Sequence, residues 1–121
     1  MDFEDVIRIG SGLPDVEVST SYGTPALKVR GKSFCRLWGD DERGRKGPEV
    51  EGEVLVVFVD VAEKRAWIET SDGALFDQAH YHGHGAMLVR LDVVDEDLLT
   101  DVIEQSYRIK APRTLLRRLD G

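Results

Sequence analysis

The run 13–38, LPDVEVSTSYGTPALKVRGKSFCRLW, constrains the fold more than any other stretch of the chain. Val16–Ser21 alternates apolar and polar residues, the period of two expected of a half-buried strand. Tyr22-Gly23-Thr24-Pro25 then reads as a turn. Leu27 and Val29 point one way and Lys28 and Arg30 the other. Gly31 supplies the turn of a hairpin into Ser33–Trp38, because glycine takes the left-handed backbone freely. Consecutive strands joined by turns this tight must pair antiparallel.

The flanking segments supply helices. In residues 2–11, Phe3, Val6 and Ile7 fall at helical spacing, with Asp2, Glu4 and Asp5 at the end where acids complement the helix dipole. Ser11-Gly12 and Pro14 end that pattern. Segment 39–53, GDDERGRKGPEVEGE, is rich in glycine and charge and is expected to be a loop. Val54–Val59 is a continuous apolar run, as in a central strand. Residues 61–70 fit a helix or a strand, and helix is favoured. Ser71-Asp72-Gly73 is a turn, and Ala86–Leu91 a strand. Asp95 is a good N-cap for a helix whose apolar stripe is Leu98, Leu99, Val102, Ile103 and Tyr107. Ala111-Pro112 breaks that helix, and Pro112 suits the first position of another. Leu115, Leu116 and Leu119 dock this last segment, leaving Arg113, Arg117 and Arg118 outward.

Strands in the middle and helices at both ends predict an α+β fold. It is a two-layer sandwich, an antiparallel sheet covered on one side by N- and C-terminal helices. A chain of 121 residues is expected to form one domain, residues 1–121. Its 41% hydrophobic and 32% charged residues suit a soluble globular protein. No run approaches the ~20 apolar residues a membrane helix needs. The acidic start MDFEDVIRIG lacks a signal-peptide layout. The single cysteine, Cys35, excludes an internal disulfide and fits a reducing cytosol, so a cytoplasmic location is expected.

Charge is unevenly placed. Residues 28–46 and 108–118 together carry 12 of the 16 cations and 3 of the 23 acids, a local balance of +9 against −16 for the remainder. The net charge of −7 repels phosphate at long range. A basic face can still hold a polyanion at contact, since salt screens fields beyond ~8 Å at physiological strength.

Several short motifs recur in an order known from one family. They are Leu13-Pro14, Tyr22-Gly23-x-Pro25 and Lys28-Val29-x-Gly31-Lys32-x-Phe34. After them come Tyr81 with Gly83 ahead of a strand ending Arg90-Leu91, and finally Tyr107 and Ala111-Pro112-Arg113. On these the chain resembles the MmcQ/YjbR family nearly end to end. The resemblance implies a compact α+β domain of frataxin-like, double-wing type. It also implies the DNA-binding label that such proteins carry by likeness of fold.

The site reading follows from the cations. Lys28, Arg30, Lys32 and Arg36 on the hairpin, with Arg113 and Arg117 at a helix start, are the candidate nucleic-acid contacts. On the return strand Arg36 shares parity with Phe34 and Trp38, which could stack on exposed bases or pack inward. The competing function is a module for a small anionic ligand or protein partner, with an aromatic cleft of Tyr22, Trp38 or Trp67 on an uncovered sheet face. That same face could instead be a dimer interface, and the oligomeric state, monomer or dimer, stays open. His80, His82 and His84 have the spacing of metal ligands on a strand, but Gly83 and Gly85 make a loop of ordinary histidines the expectation, with no metal and no cofactor assigned. There is no phosphate-binding loop, no dinucleotide fingerprint and no nucleophile elbow. Arg36 could lower the Cys35 pKa, but a strand cysteine is more often a small core hydrophobe. No enzymatic activity is expected.

Overall fold

The computed structural model describes residues 1–39, 52–78, 81 and 83–121. The expected loop over 39–53 therefore lies mostly outside the described residues. Helix α1 (Phe3–Gly10) leads into β1 (Val16–Ser21), β2 (Thr24–Val29) and β3 (Lys32–Leu37), and β4 (Val54–Phe58) follows. Helix α2 (Val61–Glu69), β5 (Leu75–Phe76), β6 (Ala86–Arg90), α3 (Glu96–Lys110) and α4 (Arg113–Asp120) complete the chain. The strands form one antiparallel sheet in the order β1-β2-β3-β4-β6-β5.

Two local expectations need correction, and one short strand was not anticipated. Thr24 and Pro25 belong to β2 rather than to the turn. Pro25 is tolerated there because it is opposite Thr20 of β1, and pairing with β3 starts only at Ala26. Leu75–Phe76 forms a short strand on the outer side of β6, too brief to show an alternation. Pro112 is the N-cap of α4 rather than its first residue, with extended backbone at φ −69° and ψ 155°.

A bulge in β3 decides which side chains reach the main core. Leu27 is opposite Cys35 and Lys28 is opposite Ser33, so Phe34 has no register partner on β2. The extra residue turns Phe34 to the same side as Cys35. Both are fully buried with Leu27, Val29, Leu55, Val57, Met87 and Val89. The shared parity of Phe34 with Arg36 and Trp38 is thereby broken, and only Arg36 and Trp38 remain on the opposite face.

The four helices among the described residues cover the face that carries Phe34. Phe3 and Val6 of α1, Leu99, Val102, Ile103 and Tyr107 of α3, and Leu115 of α4 are buried there, with Trp67 and Ile68 of α2 packed at the margin. The caps follow the sequence. Asp2 and Asp5 form a reciprocal capping box on α1, and Asp95 accepts from the Leu98 N–H of α3. The Tyr107 ring meets Phe34 edge-on at 5.5 Å between centroids.

The opposite face carries no helix among the described residues but is not bare. Trp38, Val54, Val56, Phe76, Ala86 and Leu88 form a second, smaller cluster, with Phe58 and Tyr81 packed on it. The segment bearing Tyr81 is held by Lys64 of α2, which is only 4% exposed. Its ammonium donates to the carbonyls of Tyr81 at 2.7 Å and His84 at 3.0 Å, and is 2.8 Å from an Asp77 carboxylate oxygen. Three acceptors satisfy all three ammonium protons, which lets a lysine be buried.

Candidate nucleic-acid interface

Strands β2 and β3 are joined by the two-residue turn Arg30-Gly31, with φ of 50° and 81°. Positive φ at both positions gives the tight turn that matches the right-handed twist of paired strands. The turn projects Arg30 from the hairpin tip, where its Nε donates to Asp15 Oδ2 at 2.7 Å. Arg118 of α4 approaches the other oxygen of Asp15 at 3.8 Å. One carboxylate therefore draws together two basic segments nearly ninety residues apart in sequence.

Tyr107 fixes this corner. Its phenol, on the buried face of α3, donates to the Pro14 carbonyl at 2.7 Å and anchors the segment that carries Asp15. Burial raises the Tyr107 pKa, Asp15 adds to the rise, and Arg118 and Arg30 oppose it.

Helix α4 docks through Leu115 and presents Arg113 and Arg117 to solvent. Four residues apart, they share one side of the helix. With Leu116 and Asp120 they line a shallow groove. The Asp120 carboxylate is engaged by Arg108 of α3 at 2.6 and 3.1 Å. The Arg108 hydrogen bond holds the Asp120 carboxyl below the usual carboxylate range. The arrangement leaves Arg113 and Arg117 without an ion pair among the described residues. Lys32, just past the hairpin turn, is also exposed.

The six candidate cations are thus divided. Arg30 and Lys32 stand at the hairpin tip, which α4 reaches through Arg118 at Asp15, while Arg113 and Arg117 line the groove on another side of that helix. Lys28 and Arg36 belong to the other face of the sheet. Lys28 is in register between Glu17 of β1 and Ser33 of β3. Arg36 donates to the Tyr81 hydroxyl at 3.2 Å and to the Leu37 carbonyl at 3.3 Å, with its guanidinium 5.2 Å from the Tyr22 ring centre.

The aromatic partners proposed on β3 are corrected. Phe34 is fully buried and Trp38 is 5% exposed, so neither offers a face to a base. Trp67 packs toward the helix-covered core and is not part of an aromatic cleft on the other face. Arg36 does not activate Cys35, because strand alternation puts them on opposite faces. Burial pushes the Cys35 thiol up to about 12. His80 and His82 lie outside the described residues, while the His84 backbone N–H donates to the Tyr81 carbonyl.

Sequence reasoning missed Asp15 and Tyr107 as organisers of the basic corner. Asp15 reads as a turn acid after Pro14, and Tyr107 as one more residue of an apolar stripe. Their tertiary partners are far away in the chain, which local periodicity does not report.

The YjbR family model matches residues 11–109. A crystal structure of a Pseudomonas syringae protein aligns with a TM-score of 0.70 at 12% identity, covering 91% of this chain and 99% of that one. The Deinococcus radiodurans protein DR2400, with a domain described as DUF419, aligns with a TM-score of 0.65 at 17% identity, over 89% of this chain and 77% of that one. Likeness at these identities concerns the fold. Among curated proteins none matches this chain in sequence.

Proposed function

The chain belongs to the YjbR family, and from that premise we propose that it is a non-enzymatic protein that binds DNA through its phosphates. The contact surface is the corner where the β2–β3 hairpin meets α4. Arg30, Lys32, Arg113 and Arg117 are its cations, with Arg118 beside them. The observation that carries this reading is the shared engagement of Asp15 by Arg30 and Arg118. It brings one cation from each basic window, at the hairpin tip and on α4, to a single carboxylate. Phosphate contacts of this kind give register and affinity without base specificity. We place the action in the cytoplasm; no described helix is long and apolar enough to cross a membrane.

The test is fluorescence anisotropy of a labelled mixed-sequence DNA over a salt series. Binding in the micromolar range at low salt is expected, weakening log-linearly as salt rises. Reversing Arg113 and Arg117 to glutamate should flatten the slope by about 1 for each phosphate no longer neutralised. Reversing Arg65, exposed on α2 and paired with Glu69, should change nothing beyond the net-charge effect. Binding that is absent at low salt, or equally reduced by either change, overturns the proposal. In the former case a small anionic ligand or an acidic protein segment becomes the partner to seek at the same cations.

A further inference from the structure

Tyr22 is 89% exposed, the most exposed large hydrophobic side chain among the described residues. It occupies the first position of the two-residue turn joining β1 and β2, with φ of 51° at Tyr22 and 78° at Gly23. Such turns favour asparagine, aspartate or glycine at that position, because a bulky side chain crowds the left-handed backbone. Both the backbone and the solvated ring disfavour tyrosine here. Neither turn geometry nor core burial explains the residue, and an outlier of this kind points to a task outside folding.

The neighbouring groups give the ring an orientation. The Arg36 guanidinium lies 5.2 Å from its centre on one side. Arg36 is itself tied to the Tyr81 hydroxyl and the Leu37 carbonyl. Tyr81 is in turn held by the Lys64 ammonium through its backbone carbonyl. The ring is therefore buttressed on one face by a fixed cation and presents its other face to solvent. A flat partner stacking on that face meets a platform already ordered. Lys28 stands on the same side of the sheet as Arg36, two residues past the Ala26–Arg36 pair toward the hairpin tip, and supplies a positive charge between Tyr22 and Arg30, which stand at opposite ends of β2.

We infer that Tyr22 is a base-stacking residue and that the nucleic acid this protein prefers is single-stranded. This rests on the phosphate-binding reading above and adds the form of the ligand. In a duplex each base is already stacked and paired, so only an unpaired base can lie on an exposed side chain. The cations hold the backbone, and the tyrosine selects for strands whose bases are free.

The test compares a labelled oligothymidylate of roughly 15 nucleotides, within the usual span of single-strand binders, with a duplex of equal length. The proteins are the full chain, Tyr22→Ala, Tyr22→Phe and the Arg113→Glu/Arg117→Glu pair. The single strand should bind more tightly. Tyr22→Ala should weaken it roughly tenfold, the scale of removing one base–aromatic stack, while leaving duplex binding unchanged. Tyr22→Phe should keep most of the affinity, since stacking needs the ring and not the hydroxyl. If the arginine pair weakens both ligands and Tyr22→Ala weakens neither, the stacking inference falls and phosphate binding stands. If neither ligand binds the full chain, both fall.

Discussion

The hydroxyl of Ser106, on the buried side of α3, donates a hydrogen bond to the backbone carbonyl of Phe34 in β3. The same oxygen accepts from the Phe58 N–H of β4 at 2.7 Å. Register pairing between these strands ends at Cys35 and Val57, so Phe34 and Phe58 are where the next pair would stand. The serine replaces a missing ladder bond and pins the helix to the sheet beside the bulge. Ser106→Ala should take this partner from a part-buried N–H and a buried carbonyl, at a cost of about 2 kcal/mol. Urea unfolding followed by circular dichroism measures it. A loss under about 0.5 kcal/mol, the lower end of a net hydrogen bond, would mean the strands close on each other once the hydroxyl is gone.

The elements themselves were largely legible. Val16–Ser21, the Gly31 hairpin, the Val54 run and the stripe from Leu98 to Tyr107 each form the expected element, although Val18 on the expected buried side of β1 is exposed. What was not legible depends on tertiary pairing. The β3 bulge moves Phe34 by one face, and alternation alone assigns it to the side of Arg36. The shared carboxylate of Asp15 also joins segments that no spacing rule connects. The charge windows pointed to the hairpin and α4 but gave no sign that Arg30 and Arg118 share Asp15, and they did not separate Lys28 and Arg36 from that corner.

Lys64 should be the costliest surface-type residue to replace. Its buried ammonium serves two carbonyls and one carboxylate, and removing it takes the cation that joins them. Lys64→Met keeps the length of the side chain and removes the charge. We expect a loss of about 3 kcal/mol by analogy with broken buried pairs, together with faster amide exchange at His84, whose N–H bonds to Tyr81. Exchange read by mass spectrometry that stays as slow as in the parent protein would show that the segment is held by its apolar contacts instead.

Cys35 gives a pH dependence with a definite sign. Its thiol is pushed from 9.0 to about 12 by burial. Below pH 9 the thiol is protonated in both folded and unfolded chains, and contributes nothing. Between about 9 and 12 the unfolded chain ionises first and binds fewer protons, so stability falls by up to about 1.4 kcal/mol per pH unit from this group. Cys35→Ala should be less stable at neutral pH, through a small cavity, yet lose less per unit of alkaline pH. A thiol reagent should label the native protein only at the rate of unfolding. Rapid native labelling at about pH 8, near the ordinary thiol pKa, would contradict the burial on which both expectations rest.

Tyr22→Asn should separate what the turn needs from what the ring does. Asparagine accepts the left-handed backbone with little strain, and the exposed tyrosine gives up only its interaction with Arg36. Relief of the strain should raise stability by about 0.5–1 kcal/mol, near the lower end of the cost of a strained non-glycine residue. Equilibrium unfolding in urea would show this as a higher midpoint at an unchanged slope. The same variant should lose affinity for single-stranded DNA. A gain in stability with a loss of binding is the pattern of a residue retained for recognition. If the variant is instead less stable, the interaction with Arg36 outweighs the backbone strain and Tyr22 belongs to the fold.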